Sequence, residues 1–236
     1  MPRCRKSARP CRKNTLTAPL VRVHFACRAL QPNLCALEEG FEMSFTDYER
    51  DLRDPQFDPN YVLDKYFHSA PSAVFAGAPP GEEARLKQQV ASKLLEIFGV
   101  RVHVLQLVVC GSAHLGFCPI ASEVRFGKPF HPGRSDIDIA VISPELFESW
   151  WTELQSIALD TETRSAVSRD LFWGFLNPAL LRDVGQNGPK WWGLFGALRT
   201  DRARGIRGRL YKNLWSMQSY HRIAVVEGHN RLVGAA

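Results

Sequence analysis

Long apolar runs are missing from this 236-residue chain: nothing in it approaches the roughly 20 consecutive apolar residues a membrane-spanning helix needs. Cysteine is scarce where a core would form. Cys4, Cys11, Cys27 and Cys35 fall in the first 42 residues, and only Cys110 and Cys118 follow. Two thiols make no disulfide framework, which suits a reducing cytoplasm. The leader cysteines lack the short CxxC hooks and the paired histidines of a zinc site. An excess of one charge sign is missing from the body as well. Residues 1–42 hold eight Lys or Arg against three Glu, and residues 43–236 hold 22 basic against 21 acidic groups, a net of +1. The chain's pI of about 9.1 therefore does not argue that the body binds nucleic acid. With 45% hydrophobic and 23% charged residues, what remains is an ordinary soluble protein, expected to be cytoplasmic and without a membrane partner. Its length suffices for one sizeable core, or a core and a small appendage.

The basic leader has three readings. It has the Arg-rich, acid-free composition of a transit peptide up to Glu38, or it is a disordered basic arm. The preferred reading is that it is not translated. Glu38-Glu39-Gly40 can be encoded as GAGGAGGG, and Met43 follows at the spacing of a bacterial start codon after a ribosome-binding site. The chain then divides into a leader (1–42), a core (43–160) and a mostly helical C-terminal part (161–236).

Periodicity supplies the elements. Ser44 to Tyr48 opens a short helix. Leu86, Val90, Leu94 and Ile97 recur at helical spacing over Glu82 to Phe98, and Gly99 stands at the C-cap position. Val102 to Val109 reads as a first strand and Asp136 to Ile142 as a second. A helix follows from Pro144 to about Leu159, with Ser143 as N-cap. Leu171 to Phe175 reads as a short strand and residues 209–226 as a C-terminal helix.

Two motifs stand out. Val108-Val109-Cys110 runs into Gly111-Ser112, and after a Gly- and Pro-rich loop comes Ser135-Asp136-Ile137-Asp138-Ile139-Ala140-Val141. On a strand, residues i and i+2 share a face, so Asp136 and Asp138 present two carboxylates together while Ile137 and Ile139 enter a core. Like charges so placed call for a cation, and Mg2+ (or Mn2+) combines one or two protein carboxylates with substrate phosphates. Gly111 lets phosphate oxygens approach the backbone, and Ser112 adds a hydroxyl. Cys110 fits as a small apolar residue ending a buried strand. Taken alone, the aspartates could be a solvated edge-strand face and Gly111-Ser112 an ordinary turn.

Together, Gly111-Ser112 and Asp136-x-Asp138 resemble the nucleotidyltransferase superfamily typified by DNA polymerase beta, over residues 102–143. The resemblance implies an α/β fold: a small mixed sheet carrying the Gly-Ser and Asp-x-Asp strands, flanked by helices, then a mostly helical C-terminal part. It implies that Gly111 and Ser112 hold the phosphates of an NTP and that Asp136 and Asp138 bind metal. A third carboxylate is expected from a neighbouring strand, for which Asp170 is the first candidate and Glu227 a weaker one. The implied activity is Mg2+-dependent transfer of a nucleoside monophosphate from an NTP to a hydroxyl acceptor. The acceptor is open between a nucleic acid, a protein and a small molecule. The alternative is a binding or regulatory protein that keeps the fold without turnover. An Asp or Glu facing the pair from the adjacent strand would favour the enzyme. Arg199, Arg202, Arg204, Arg207, Arg209 and Lys212 form the body's one basic cluster. It reads first as a solvated helix face, and second as a phosphate-binding run with Tyr211 and Trp215 available to stack on bases.

Overall fold

Strand alternation and helical spacing combine into a four-stranded mixed sheet with helices on both faces in the computed structural model, which describes residues 43–234. The leader, with its cysteines and its three readings, lies outside the described residues. The α/β architecture expected from the sequence is the one observed. In chain order come α1 (Phe45–Leu52), α2 (Pro59–Leu63), α3 (Glu82–Phe98), β1 (Leu107–Cys110), α4 (Ser112–Leu115), β2 (Asp136–Ile142), α5 (Pro144–Ser156), α6 (Thr161–Phe172), β3 (Phe175–Leu176), α7 (Asn187–Ala197), β4 (Gly205–Tyr211) and α8 (Leu214–Val233). No helix among the described residues is long and apolar enough to cross a membrane.

The strand order is β1-β2-β4-β3. β1 runs antiparallel to β2, with Cys110 opposite Asp138, and β4 runs parallel to β2, with Arg207 opposite Asp138. β3 is antiparallel to β4 but pairs only at Phe175↔Tyr211 and Leu176↔Leu210. On one face, Ile137, Ile139 and Val141 pack with Leu86, Val90 and Leu94 of α3, Trp150 of α5 and Trp191 of α7. On the other, Cys110, Ala140, Ile142 and Tyr211 pack with Met217 of α8. Gly208 lets α7 lie close on β4, because a Cβ there would overlap Phe195 and Trp191.

α3 begins and ends where its periodicity predicts, with Gly99 at φ 70° accepting the left-handed turn. Ser143 caps α5, its Oγ accepting from the Leu146 N–H at 3.2 Å. Three elements depart most from the sequence reading. β1 starts at Leu107 and not at Val102. His103 Nδ1 accepts from the Leu105 N–H and Gln106 Oε1 from the His103 N–H, and this local cap closes a 3-10 turn over Val104–Gln106. Residues 171–175 are split between the end of α6 and β3, separated by Gly174 at φ 69°. The C-terminal helix starts at Leu214, not at residue 209, because residues 205–211 are a central strand.

Candidate functional site

The site lies where β1 ends and β2 and β4 begin. Ile137 and Ile139 are fully buried in the main core, and by alternation Asp136 and Asp138 emerge together on the opposite face, their side chains 13% and 22% exposed. Gly111 adjoins them: an added Cβ would lie 3.4 Å from Asp138 Oδ2. Its φ of 65° and ψ of −146° are open to glycine and costly for any other residue. Ser112 follows as the first residue of the four-residue α4. The fold thus brings Gly111 up against the Asp-x-Asp pair across 27 residues of chain.

Cys110, opposite Asp138, is buried and donates a weak Sγ–H bond to the Asp138 carbonyl at 3.5 Å. Burial first, and the Asp138 carboxylate second, push its thiol up to about 12. It stays protonated at neutral pH and serves as the apolar strand end expected of it.

The basic segment is where the sequence reading fails most usefully. It is no helix face. Arg207 and Arg209 lie on β4 at alternate positions of the face that carries the aspartates. Asp136 is held by two guanidinium groups: Arg204 donates from Nε at 3.1 Å and from Nη2 at 2.7 Å, and Arg207 Nε lies 2.7 Å from Oδ2. Gly205 adjoins this carboxylate: a Cβ there would stand 3.4 Å from Asp136 Oδ1, at ordinary contact distance. Arg209 Nε sits 3.4 Å from Asp138 Oδ1. Burial disfavours the charge on Arg209, but Asp138 and then Tyr220 outweigh it, so the guanidinium is held above its usual range. The hydrogen bonds that Arg204 donates to Asp136, with the carboxylate's charge, likewise raise Arg204.

Three guanidinium groups around two carboxylates leave the cluster with one net positive charge. Arg204 and Arg207 are 56% and 52% exposed, so their ion pairs are weak and exchangeable; Arg209, at 28%, is a fixture of the wall. No third carboxylate joins the pair from β4. Asp170 sits in the last turn of α6 beside Arg169, its carboxyl raised by burial, and Glu227 is exposed on α8. Among the described residues, no three His, Cys, Asp or Glu side chains gather as a metal-binding group. Tyr211 is buried against Phe175 and is closed to a base, while Trp215 is exposed on α8 in a separate groove with His68 and Arg222.

Asp136, Asp138, Arg204, Arg207 and Arg209 line one end of a cleft of about 310 Å3 that continues along β4 to Asn177, Trp191 and Trp192. Sequence reasoning missed this extension. The available signal was the alternation of Ile206 and Leu210 with Arg207, Arg209 and Tyr211. No family model, no curated protein and no solved structure matches this chain.

Proposed function

We propose that this corner of the sheet binds a nucleoside triphosphate with Mg2+, as a site of the nucleotidyltransferase type. The observation that carries the reading is the meeting of three kinds of group on one sheet face: Gly111 against Asp138, the paired carboxylates of β2, and the arginines of β4. Two carboxylates with substrate phosphates are a suitable oxygen set for Mg2+, and Asp136 and Asp138 would hold it. Mg2+ bound there would neutralise phosphate charge and lower the pKa of a coordinated hydroxyl. Arg204 and Arg207 release Asp136 readily because their pairs are half in water, and their guanidinium forks then suit phosphate oxygens. Gly111 and Ser112 approach the same phosphates from β1. α3, β1, the loop that opens with the short α4, β2 and α5 follow one another as helix, strand, loop, strand, helix, an order compatible with the resemblance.

Transfer of the nucleoside monophosphate to a hydroxyl acceptor is the second reading. The same-face aspartates favour it. Arginine on the adjacent strand, where an Asp or Glu would favour the enzyme, gives binding without turnover the stronger support. Calorimetry of each NTP with Mg2+ tests the binding, and heat from none of the four at millimolar concentration would sink it. Incubation with α-labelled NTP, Mg2+ and a cell extract tests transfer, with Asp138→Asn as the blank.

A further inference from the structure

The cleft changes character along its length. At one end stand the aspartates and arginines; at the other stand Asn177, Trp192 and Gly196. The space between exists because β3 ends early. Leu176 pairs with Leu210 and the Gly174 carbonyl accepts from the Lys212 N–H, so the next hydrogen-bonded position would set residue 178 opposite Gly208. Residue 178 is proline. It has no N–H to give, and the chain turns away into a 3-10 turn over Pro178–Leu181. The outer edge of β4 from Gly205 to Gly208 is left without a strand beside it among the described residues. The Gly208 carbonyl is taken by Trp191 Nε1–H at 3.4 Å. The edge groups of Ile206 face the gap by alternation.

We infer that the far end of this cleft receives the nucleoside of the bound nucleotide, with the base against Trp192 and the unpaired edge of β4. The inference rests on the nucleotide reading of the Asp136 and Asp138 corner. The whole cleft, at about 310 Å3, lies at the small end of ligand pockets, roughly 300 to 1,000 Å3, and suits one small ligand better than a macromolecular strand. From β1 across β2 to β4 is two interstrand spacings, roughly 10 Å, a span that a triphosphate chain covers. The phosphates then lie between Gly111 and the arginines, and the sugar and base project past β4. Trp192 is a fixed surface: its Nε1–H donates to the Pro178 carbonyl at 3.1 Å, and the Arg182 guanidinium lies 5.2 Å from its ring centroid. Asn177 Oδ1 accepts from the Ala179 N–H at 3.2 Å, which leaves the amide N–H groups free for a base carbonyl or ring nitrogen.

Gly196 offers a clean test. It lines the cleft from α7, has ordinary helical geometry, and an added Cβ would meet nothing within 4 Å. Gly196→Leu therefore adds bulk at the wall of the nucleoside end, with a Cβ that crowds nothing. Binding of inorganic tripolyphosphate and of each NTP, all with Mg2+, is measured by calorimetry on the full chain. Wild type is expected to bind its preferred NTP at least about fivefold more tightly than tripolyphosphate, as stacking of one base provides. Gly196→Leu and Trp192→Ala should lose that margin and keep tripolyphosphate affinity, and Trp192→Phe should keep most of it. Unchanged NTP affinity in both Gly196→Leu and Trp192→Ala would overturn the inference while leaving the phosphate site standing. Equal affinity of wild type for tripolyphosphate and all NTPs would do the same. Binding of neither ligand by wild type would remove the nucleotide reading and this inference with it.

Discussion

Replacing Asp138 with asparagine should destabilise the protein. From the sequence, two neighbouring carboxylates repel, and removing one charge would relieve the strand. The structure reverses the sign, because each carboxylate already has a guanidinium partner. Arg209 Nε lies 3.4 Å from Asp138 Oδ1, and both side chains are largely shielded from water. At an effective dielectric constant of about 20, the gross attraction at that distance is roughly 5 kcal/mol. Solvent reaching the pair, the remaining asparagine dipole and relaxation of the arginine reduce this. What remains is the cost of a mostly buried guanidinium without its counter-charge, about 1 to 3 kcal/mol. Urea denaturation of wild type, Asp138→Asn, Arg209→Met and the double variant measures it. The double variant should recover part of the loss, with a coupling energy of roughly 0.5 to 3 kcal/mol. Asp136→Asn should cost less, since Arg204 and Arg207 are half exposed. An Asp138→Asn protein as stable as wild type, with no coupling to Arg209, would refute the neutralised-pair account of this site.

Three further outcomes follow from the geometry. Gly111→Ala forces a Cβ onto a backbone at φ 65° and ψ −146°, and should lower stability by about 1 to 3 kcal/mol; a variant of unchanged urea midpoint would show that the turn relaxes freely. Ser112→Ala should weaken NTP binding by roughly tenfold to a hundredfold, the loss of about 1.5 to 3 kcal/mol from one hydrogen bond to a charged group, and equal affinity by calorimetry would take Ser112 out of the site. His221 on α8 is buried with Nδ1 unpartnered, and burial, followed by the neighbouring His114, His68 and Arg209, brings its pKa down to about 3. The folded value lies below the unfolded one of about 6.5, so this contribution to stability is full above that pH and is lost as pH falls towards 3. Going from pH 7 to pH 5 should cost about 2 kcal/mol through this group, and His221→Phe should flatten the urea-midpoint profile over that window; parallel profiles would refute it.

What the sequence made legible, and what it hid, follows from the range of the forces involved. α3 and β2 could be read to the residue because their signals are local: apolar spacing at four residues and a Gly cap for one, alternation between Asp and Ile for the other. The nearness of Gly111 to Asp138 was legible only as a pairing of motifs. β1 was read too long because the His103 and Gln106 side chains close a turn that strand propensity does not register. β4 was missed because its alternation is broken at Gly208, and glycine stands there for a tertiary reason, the approach of Phe195 and Trp191. The pairing of Asp136 with Arg204 spans 68 positions and depends on a parallel register that no local pattern encodes. The cleft depends on Pro178 falling at a ladder position of β3, which becomes visible only once β4 is known.

Arginine beside the Asp-x-Asp pair changes which ligand states the site favours. A third carboxylate would leave a bare cluster of three negative charges, and such a site needs metal even at rest. Here the cluster carries one net positive charge and is internally satisfied. Mg2+ alone would have to displace guanidinium groups to reach Asp136, so the free ion is expected to be a poor ligand. On the nucleotide reading proposed above, a triphosphate would change that balance, because it would attract Arg204 and Arg207 away from Asp136 and bring more negative charge than one Mg2+ neutralises. Metal and nucleotide should therefore bind with positive coupling: each removes the obstacle to the other, and reciprocity requires the same factor in both directions. Titrating Mg2+ into the protein with and without saturating tripolyphosphate measures that factor. Replacing both Arg204 and Arg207 with glutamine should raise affinity for Mg2+ alone and lower it for the polyphosphate. Should the double variant bind Mg2+ no better than wild type, the guanidinium groups do not guard the carboxylates, and the exchange between them is not how this site works.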